Sequence, residues 1–87
     1  MQILFKKTFI KQYQKLQRFN QSKIDHTLKL FEENPFDPNL KNHALTGKLK
    51  GKRSISAGFD LRLVFELEDN KYMVVIMLGV GSHNQVY

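Results

Sequence analysis

An uninterrupted apolar run near the carboxyl end, from Met73 to Val80, constrains the fold of this chain more than any other feature. The run is far shorter than the roughly 20 residues that a membrane span needs. It is apolar on both faces of a strand, which is typical of a strand in the interior of a sheet. We therefore predict a central strand over residues 71–78, ended by Gly79-Val80-Gly81.

Shorter strands are predicted around it. From residue 60 onward apolar and polar residues alternate, so Leu61, Leu63, Phe65 and Leu67 would share one face, and Asp60, Arg62, Val64, Glu66 and Glu68 the other. Residues 52–57 predict a further strand that ends at a turn around Gly58, and residues 2–5 an edge strand. Asp69-Asn70 predicts a hairpin turn. Residues 45–49 fit no element clearly.

Two amphipathic helices are predicted between the first strand and the others. Apolar side chains recur at helical spacing, at Phe9, Tyr13 and Leu16 and then at Ile24, Thr27, Leu28 and Phe31. We predict a break at Asn20-Gln21-Ser22, with Ser22 and Asp25 as a capping pair for the second helix and Asn34-Pro35 as its end. A break this short favours an antiparallel helical hairpin.

The predicted order is β-α-α-β-β-β, which is an α+β fold. The helical hairpin would pack on one face of a small, mainly antiparallel sheet and leave the other face open. The 87 residues suffice for one domain with one modest core, so we expect a single domain over residues 1–87.

Positive charge is concentrated in two zones of the chain, whose net charge is +6. Residues 41–62 carry six basic residues and one acid, and residues 1–29 carry seven basic residues and one acid. The first of these zones crowds basic side chains onto strands and turns, which favours a polyanionic partner, above all nucleic acid. In the helical zone, residues 1–29, a solvated helix face is the favoured explanation of the charges.

The absence of cysteine excludes disulfides and thiolate metal sites and favours a reducing compartment. The three histidines lack metal-ligand spacing, so we expect no metal and no other cofactor. The amino-terminal residues include three lysines and lack the continuous apolar stretch of a signal peptide. We expect a cytoplasmic protein with no membrane association.

Titratable side chains near the predicted strand ends are the candidates for chemistry. His83 follows the central strand and is the strongest of them, while His43 taken alone is more typical of a loop histidine. Tyr87 could stack on a base or pin the end of the chain. Asp60 could serve as a base, as an orienter of a histidine or as a salt-bridge partner.

Basic residues of the same region are candidates for binding phosphate. Arg53 and Arg62 carry guanidinium groups suited to bidentate phosphate contacts, although Arg62 could instead pair with Asp60 or Glu66 on its own face. A basic turn provides Lys48, Lys50 and Lys52. Histidine, aspartate, arginine and lysine together fit metal-independent RNA cleavage.

Four segments, taken together, resemble toxins of bacterial toxin–antitoxin systems in the RelE/ParE superfamily, and most closely its YafQ-like branch. They are His43-x-Leu45-x-Gly47, Leu49-Lys50-Gly51-x-Arg53, Asp60-Leu61-Arg62-Leu63-Val64-Phe65 and Gly81-Ser82-His83-x-x-Val86-Tyr87. The resemblance implies a small basic ribonuclease that enters the A site of the 70S ribosome, cuts mRNA there and is held inactive by a cognate antitoxin. It thus implies a toxin–antitoxin hetero-oligomer, whose stoichiometry is left open.

The same resemblance implies roles for individual residues. His83 would be the general acid, His43 and Asp60 would share the base and positioning roles, and Tyr87 would orient the substrate. Arg53 and Arg62 match family arginines near the scissile phosphate. Ser54 and Ser56 stand where YafQ-like proteins typically have an aspartate and a second histidine.

Two alternatives to the endonuclease follow from these features. One is a non-enzymatic poison of DNA gyrase of the ParE kind, against which the set of titratable residues argues. The other is a degenerate member that binds RNA or its antitoxin without catalysis, which Ser54 and Ser56 would explain.

Overall fold

The computed structural model describes residues 1–69 and 71–82, which form two α-helices and a five-stranded sheet. The elements in chain order are β1 (Gln2–Phe5), α1 (Lys7–Gln14), α2 (Arg18–Glu33), β2 (His43–Ala44), β3 (Arg53–Ser56), β4 (Leu61–Leu67) and β5 (Val74–Ser82). Short 3-10 turns at Pro38–Leu40 and Gly47–Leu49 flank β2. The sheet order is β1-β5-β4-β3-β2, with only the β1–β5 pair parallel. The predicted α+β architecture with a mainly antiparallel sheet is confirmed.

One face of the sheet packs against the helices and contains the core. The alternation predicted for β4 is confirmed, because Leu63 and Phe65 are fully buried in this core. Phe31 of α2 meets Phe65 edge-on, with ring centroids 5.1 Å apart. Hydrogen bonds join the two helices: the Tyr13 hydroxyl donates to Asp25 Oδ1 at 2.7 Å, and Gln21 Nε2 donates to the Tyr13 carbonyl at 3.0 Å.

The break between the helices lies earlier than predicted. α2 begins at Arg18, so the predicted break at residues 20–22 is wrong, and those residues belong to the first turns of α2. The residue before the helix is Gln17, so Ser22 and Asp25 form no capping pair. Polar residues inside a helix cost only a few tenths of a kcal/mol each. Burial of the following apolar face outweighs that cost.

The central strand begins and ends later than predicted. β5 begins at Val74 rather than at residue 71, because Tyr72 has a left-handed backbone with φ 58°. That conformation turns its ring out of the strand and into an aromatic cluster formed with Phe31, Phe36 and Phe65. β5 is paired on both sides, as predicted for a central strand.

Gly79-Val80-Gly81 continues β5 instead of ending it, so the predicted stop is wrong. Gly79 pairs with Val64 and Gly81 with Arg62, and the strand runs to Ser82. A register shift in β5 provides the reason. Val64 pairs with Gly79, but the next residue, Phe65, pairs with Met77, so β5 has one extra residue at this point. The bulge keeps both Met77 and Val80 buried and lets the ladder continue through the glycines.

No sequence pattern predicts β2, which is only two residues long. Period-2 alternation cannot be detected in two residues, so pairing with β3 alone defines this edge strand. The ambiguous residues 45–49 contain the 3-10 turn Gly47–Leu49.

A side chain of α1 satisfies a backbone donor of β5, and its removal should be measurable. The Val80 amide donates to Gln12 Oε1 at 2.9 Å, in a stretch of β5 that β1, paired only as far as Met77, does not reach. Gln12→Ala leaves this half-buried donor without its partner, so we expect the free energy of unfolding to fall by about 1–2 kcal/mol. Urea unfolding followed by circular dichroism measures it. The exposed Gln14→Ala is the matched control, and equal midpoints for the two variants would contradict the expectation.

The hydrogen bond between Tyr13 and Asp25 affects the pKa of Tyr13, which an alkaline titration can test. The hydrogen bond to Asp25, with smaller contributions from partial burial and from the carboxylate charge, raises the pKa of Tyr13 above its usual value of about 10. The neutral phenol is therefore favoured in the folded state, and its contribution to stability is present below pH ~10 and lost as the pH rises through the raised pKa. Asp25→Asn should lower this pKa. Ultraviolet titration of the tyrosines measures it, with Tyr13→Phe to assign the signal; an unchanged curve would refute the assignment.

Candidate active site

Strand register places His43 and Arg62 on the face of the sheet opposite the helices. His43 pairs with Ser54, which pairs with Val64, and paired residues direct their side chains to the same face. Arg62 lies two residues from Val64 along β4 and therefore shares that face. The neighbouring pair of Ile55 with Leu63 directs its side chains into the core on the other face.

Strand geometry also gives the spacing of these two residues. At the usual separation between strands and rise per residue, two strands and two residues correspond to roughly 12 Å between the Cα atoms of His43 and Arg62. Ser54 and Val64, which lie between them on this face, are buried. The face opposite the helices, called the open face below because the two described helices pack on the other side, thus carries a candidate base and a candidate cation on either side of these buried residues.

The His43 ring is exposed and held in one orientation by the backbone. Its Nδ1 lies 2.8 Å from the carbonyl oxygen of Lys41. A carbonyl oxygen can only accept, so in the neutral ring Nδ1 carries the proton and donates, which leaves the lone pair on Nε2. Nε2 is thereby prepared to accept a proton. Lys48 lines the same surface depression of about 390 Å³ as His43, so the structure brings these two predicted residues together.

Arg62 is held by neutral oxygen atoms. Its Nη1 donates to Ser56 Oγ at 3.3 Å and to the carbonyls of Leu61 and Gly58 at 3.2 and 3.4 Å, while the Ser56 hydroxyl donates to Gly58 O at 2.9 Å. Across the described residues 1–69 and 71–82, no ion pair joins it to Asp60 or Glu66, which was the alternative considered for it. Among the described residues its charge therefore has no acidic partner, and the Ser56 hydroxyl helps to orient the guanidinium.

Arg53 lies on the helix side of the sheet. It pairs with Phe65, and its Nε donates to Asn42 Oδ1 at 2.9 Å. The structure therefore does not bring Arg53 together with Arg62. Arg53 and Lys52 instead line a separate depression of about 330 Å³ beside Phe36 and Tyr72.

The remaining predicted residues are more scattered. Asp60 is exposed in the turn before β4. It lies four residues along the chain from Val64, the residue of β4 that is level with His43. The Lys41 carbonyl, rather than Asp60, orients the His43 ring. Lys50 is exposed after the 3-10 turn. His83 and Tyr87 lie outside the described residues, and β5 ends at Ser82, which pairs with Leu61. Within the described ranges, no cluster of acidic, histidine or cysteine side chains could hold a metal ion, and no helix there is long and apolar enough to span a membrane.

Lys41 and Asn42 are site residues that the sequence analysis missed. Lys41 supplies the carbonyl that orients His43, from a left-handed backbone at φ 52°. Asn42 bonds to Arg53 and Tyr72, which lie 11 and 30 residues away. The only local signal is their position directly before His43, and its meaning depends on partners that the folded chain brings near.

Comparison with known proteins places this architecture. No curated protein sequence shows significant similarity to the chain. Among solved structures, YafQ from E. coli strain BL21(DE3) is 21% identical, with 98% of this chain and 96% of that chain covered and a TM-score of 0.80. YafQ in the E. coli DinJ-YafQ toxin-antitoxin complex is 21% identical, with 98% and 94% covered and a TM-score of 0.77. A conserved hypothetical protein from Helicobacter pylori is 27% identical, with 100% and 99% covered and a TM-score of 0.75.

A family model extends this likeness from fold to sequence. The model described as bacterial toxin of type II toxin-antitoxin system, YafQ, matches residues 1–87. The match spans the entire sequence, including the segments that carry His43 and Arg62. This protein therefore belongs to the YafQ family of toxins of bacterial type II toxin–antitoxin systems.

Proposed function

We propose that this toxin is a ribosome-dependent endoribonuclease that cuts mRNA in the A site with no metal ion in the chemical step. The observation that carries the proposal is the open sheet face, where the Lys41 carbonyl beside His43 Nδ1 leaves the lone pair of the neutral ring on Nε2, and where Arg62 has no acidic partner among the described residues. Those are the two groups that an attack by a ribose 2′-hydroxyl requires.

The reaction follows from these groups. His43 Nε2 takes the proton of the 2′-hydroxyl, and the oxygen attacks the adjacent phosphorus. Arg62 stabilises the negative charge that develops on the phosphorane. The bond to the 5′-oxygen breaks as that oxygen receives a proton, which gives a 2′,3′-cyclic phosphate and a 5′-hydroxyl end.

Roles for the other candidates rest on the family resemblance. His83 follows Ser82 directly in sequence and is proposed as the acid that protonates the leaving oxygen, and Tyr87 as the residue that orients the substrate. Asp60 is proposed to contact the substrate from the turn before β4 rather than to orient His43. Lys48, beside His43, and Lys50 and Lys52 further along would track the phosphates of the RNA.

A cognate antitoxin is the proposed protein partner. The E. coli relative is seen in complex with the antitoxin DinJ. In this chain the basic zone at residues 41–62 includes both His43 and Arg62, so an acidic antitoxin segment bound there would cover the site and neutralise its charge.

The test is cleavage of a defined mRNA in a reconstituted translation system, mapped by primer extension. We expect cuts only in ribosome-bound mRNA, and none when the nucleotide whose 2′-hydroxyl attacks is replaced by its 2′-deoxy form. If a phosphorothioate at the scissile position slows cleavage, Mn²⁺ should not restore the rate, because no metal ion is proposed to contact that phosphate. The same mapping in cells, with a His83→Ala variant, tests the proposed acid.

Other outcomes identify the alternatives. Growth arrest with intact mRNA and signs of DNA damage would replace this proposal with a gyrase poison. Ribosome binding without any cut, from a folded chain, would replace it with a degenerate binder.

A further inference from the structure

Three hydrogen bonds on the helix side of the sheet hold Asn42, the residue directly before His43. Asn42 and its partners Pro35, Arg53 and Tyr72 are called the node below. Asn42 Nδ2 donates to the carbonyl of Pro35 and to the hydroxyl of Tyr72, each at 2.9 Å, and Oδ1 accepts from Arg53 Nε at 2.9 Å. The Pro35 carbonyl can only accept and the guanidinium can only donate, so the orientation of the amide is unambiguous. Both of its polar ends are engaged.

The node ties together three segments that are distant in sequence. Pro35 lies in the loop after α2, Arg53 begins β3, and Tyr72 lies in the connection from β4 to β5. The Tyr72 ring is anchored among Phe31, Phe36 and Phe65, with centroids 6.1, 5.1 and 6.2 Å away. Asn42 is thereby fastened to the hydrophobic core.

Such an anchor is needed because the backbone at this point is unfavourable. Lys41 adopts a left-handed conformation, with φ 52° and ψ 43°, which costs a non-glycine residue roughly 1–2 kcal/mol. β2, which follows it, is a two-residue edge strand and has little stability of its own. On the preceding side, the Lys41 amide donates to Pro38 O at a long 3.3 Å.

Asn42, directly before β2, and His43, the first residue of β2, face opposite sides of the sheet. Asn42 bonds to partners on the helix side, whereas His43 belongs to the ladder on the open face. The hydrogen bonds that hold Asn42 on the helix side also fix the Lys41–Asn42 peptide. The carbonyl of that peptide lies 2.8 Å from His43 Nδ1.

We propose that Asn42 is a positioning residue: through Arg53 and Tyr72 it holds the Lys41 carbonyl on His43 Nδ1 and so keeps the lone pair of the ring on Nε2. The assignment also gives Arg53 a role in the site, although it lies on the other face of the sheet. The catalytic consequence rests on the proposed function, whereas the control of the tautomer does not.

The experiment is ¹⁵N NMR of the histidine rings in the full chain at about pH 8.5, where histidine is ordinarily neutral. Wild-type His43 should show a protonated Nδ1. In Asn42→Ala and in Tyr72→Phe, which removes a single hydroxyl and keeps the ring, the signals should move toward the Nε2-protonated form that an unconstrained histidine side chain favours in water. The exposed His26 ring on α2 is the internal control and should not change.

Cleavage provides the second readout. If His43 is the base, Asn42→Ala should lower kcat by about 10- to 100-fold with little change in KM, because the substrate surface is intact and only the alignment of the base is lost. A tautomer shift in a chain whose wild type cuts no mRNA would support the positioning role and reject the proposed reaction. A His43 tautomer that is unchanged in both variants, or an Nε2-protonated wild type, would overturn the inference.

Discussion

His43→Ala should reduce mRNA cleavage on the ribosome by about 10²- to 10⁴-fold, the usual contribution of a general base. If His43 is the general base, the loss should appear in kcat, since a general base acts when the 2′-hydroxyl is deprotonated and contributes little to binding. Single-turnover cleavage of mRNA in a programmed ribosome complex measures the effect without interference from product release.

His26→Ala is the matched control for this variant, because His26 is exposed on α2, away from the open face. It should cut at the wild-type rate. His43 is itself exposed on a short edge strand, so its loss should leave the unfolding midpoint almost unchanged. Undiminished cleavage by a folded His43→Ala variant would remove His43 from the chemistry.

Arg62→Gln should reduce cleavage by about 10²- to 10³-fold, because it removes the charge and the guanidinium fork that are proposed to stabilise the developing phosphorane. Arg62→Lys should fall between this variant and the wild type, since lysine keeps the charge and loses the planar fork that matches two phosphate oxygens. The same single-turnover assay, at several ribosome-complex concentrations, separates the effect on kcat from weaker binding.

Arg18→Gln supplies the control for charge alone. The chain has three arginines, and Arg18 lies exposed at the start of α2. If Arg18→Gln and Arg62→Gln weaken cleavage equally, Arg62 contributes only to the general attraction for RNA. A selective loss in Arg62→Gln assigns it to the reacting phosphate.

Local patterns predict much of the fold because burial acts on each element separately. The alternation in β4 reports which side chains face the helices, and Leu63 and Phe65 are indeed buried there. Errors arise where distant contacts override a local signal. Gly79-Val80-Gly81 resembles a strand end, yet pairing with Val64 and Arg62 carries β5 through it. The polar residues 20–22 resemble a helix break, yet burial of the face they precede keeps them helical.

The candidate site also combines residues that local sequence identifies with positions that only distant contacts decide. Residue chemistry identifies His43, Lys48 and Arg62 as candidates; in the structure His43 and Lys48 line one surface depression, and Arg62 is half-buried on β4. The position of Arg53 could not be predicted in the same way, because one residue of register decides which face of a sheet a side chain occupies. Asn42 could not be found at all from local pattern, since its partners lie in three separate segments.

The sequence by itself determined the α+β architecture, the buried face of β4 and the concentration of positive charge at residues 41–62. These properties depend on periodicity and composition, which are local. Only the tertiary structure decided that His43 and Arg62 share the open face, that Arg53 lies on the helix side of the sheet, and that the Lys41 carbonyl lies 2.8 Å from His43 Nδ1. Those properties depend on strand register and on hydrogen bonds between distant segments, which exist only once the chain has folded.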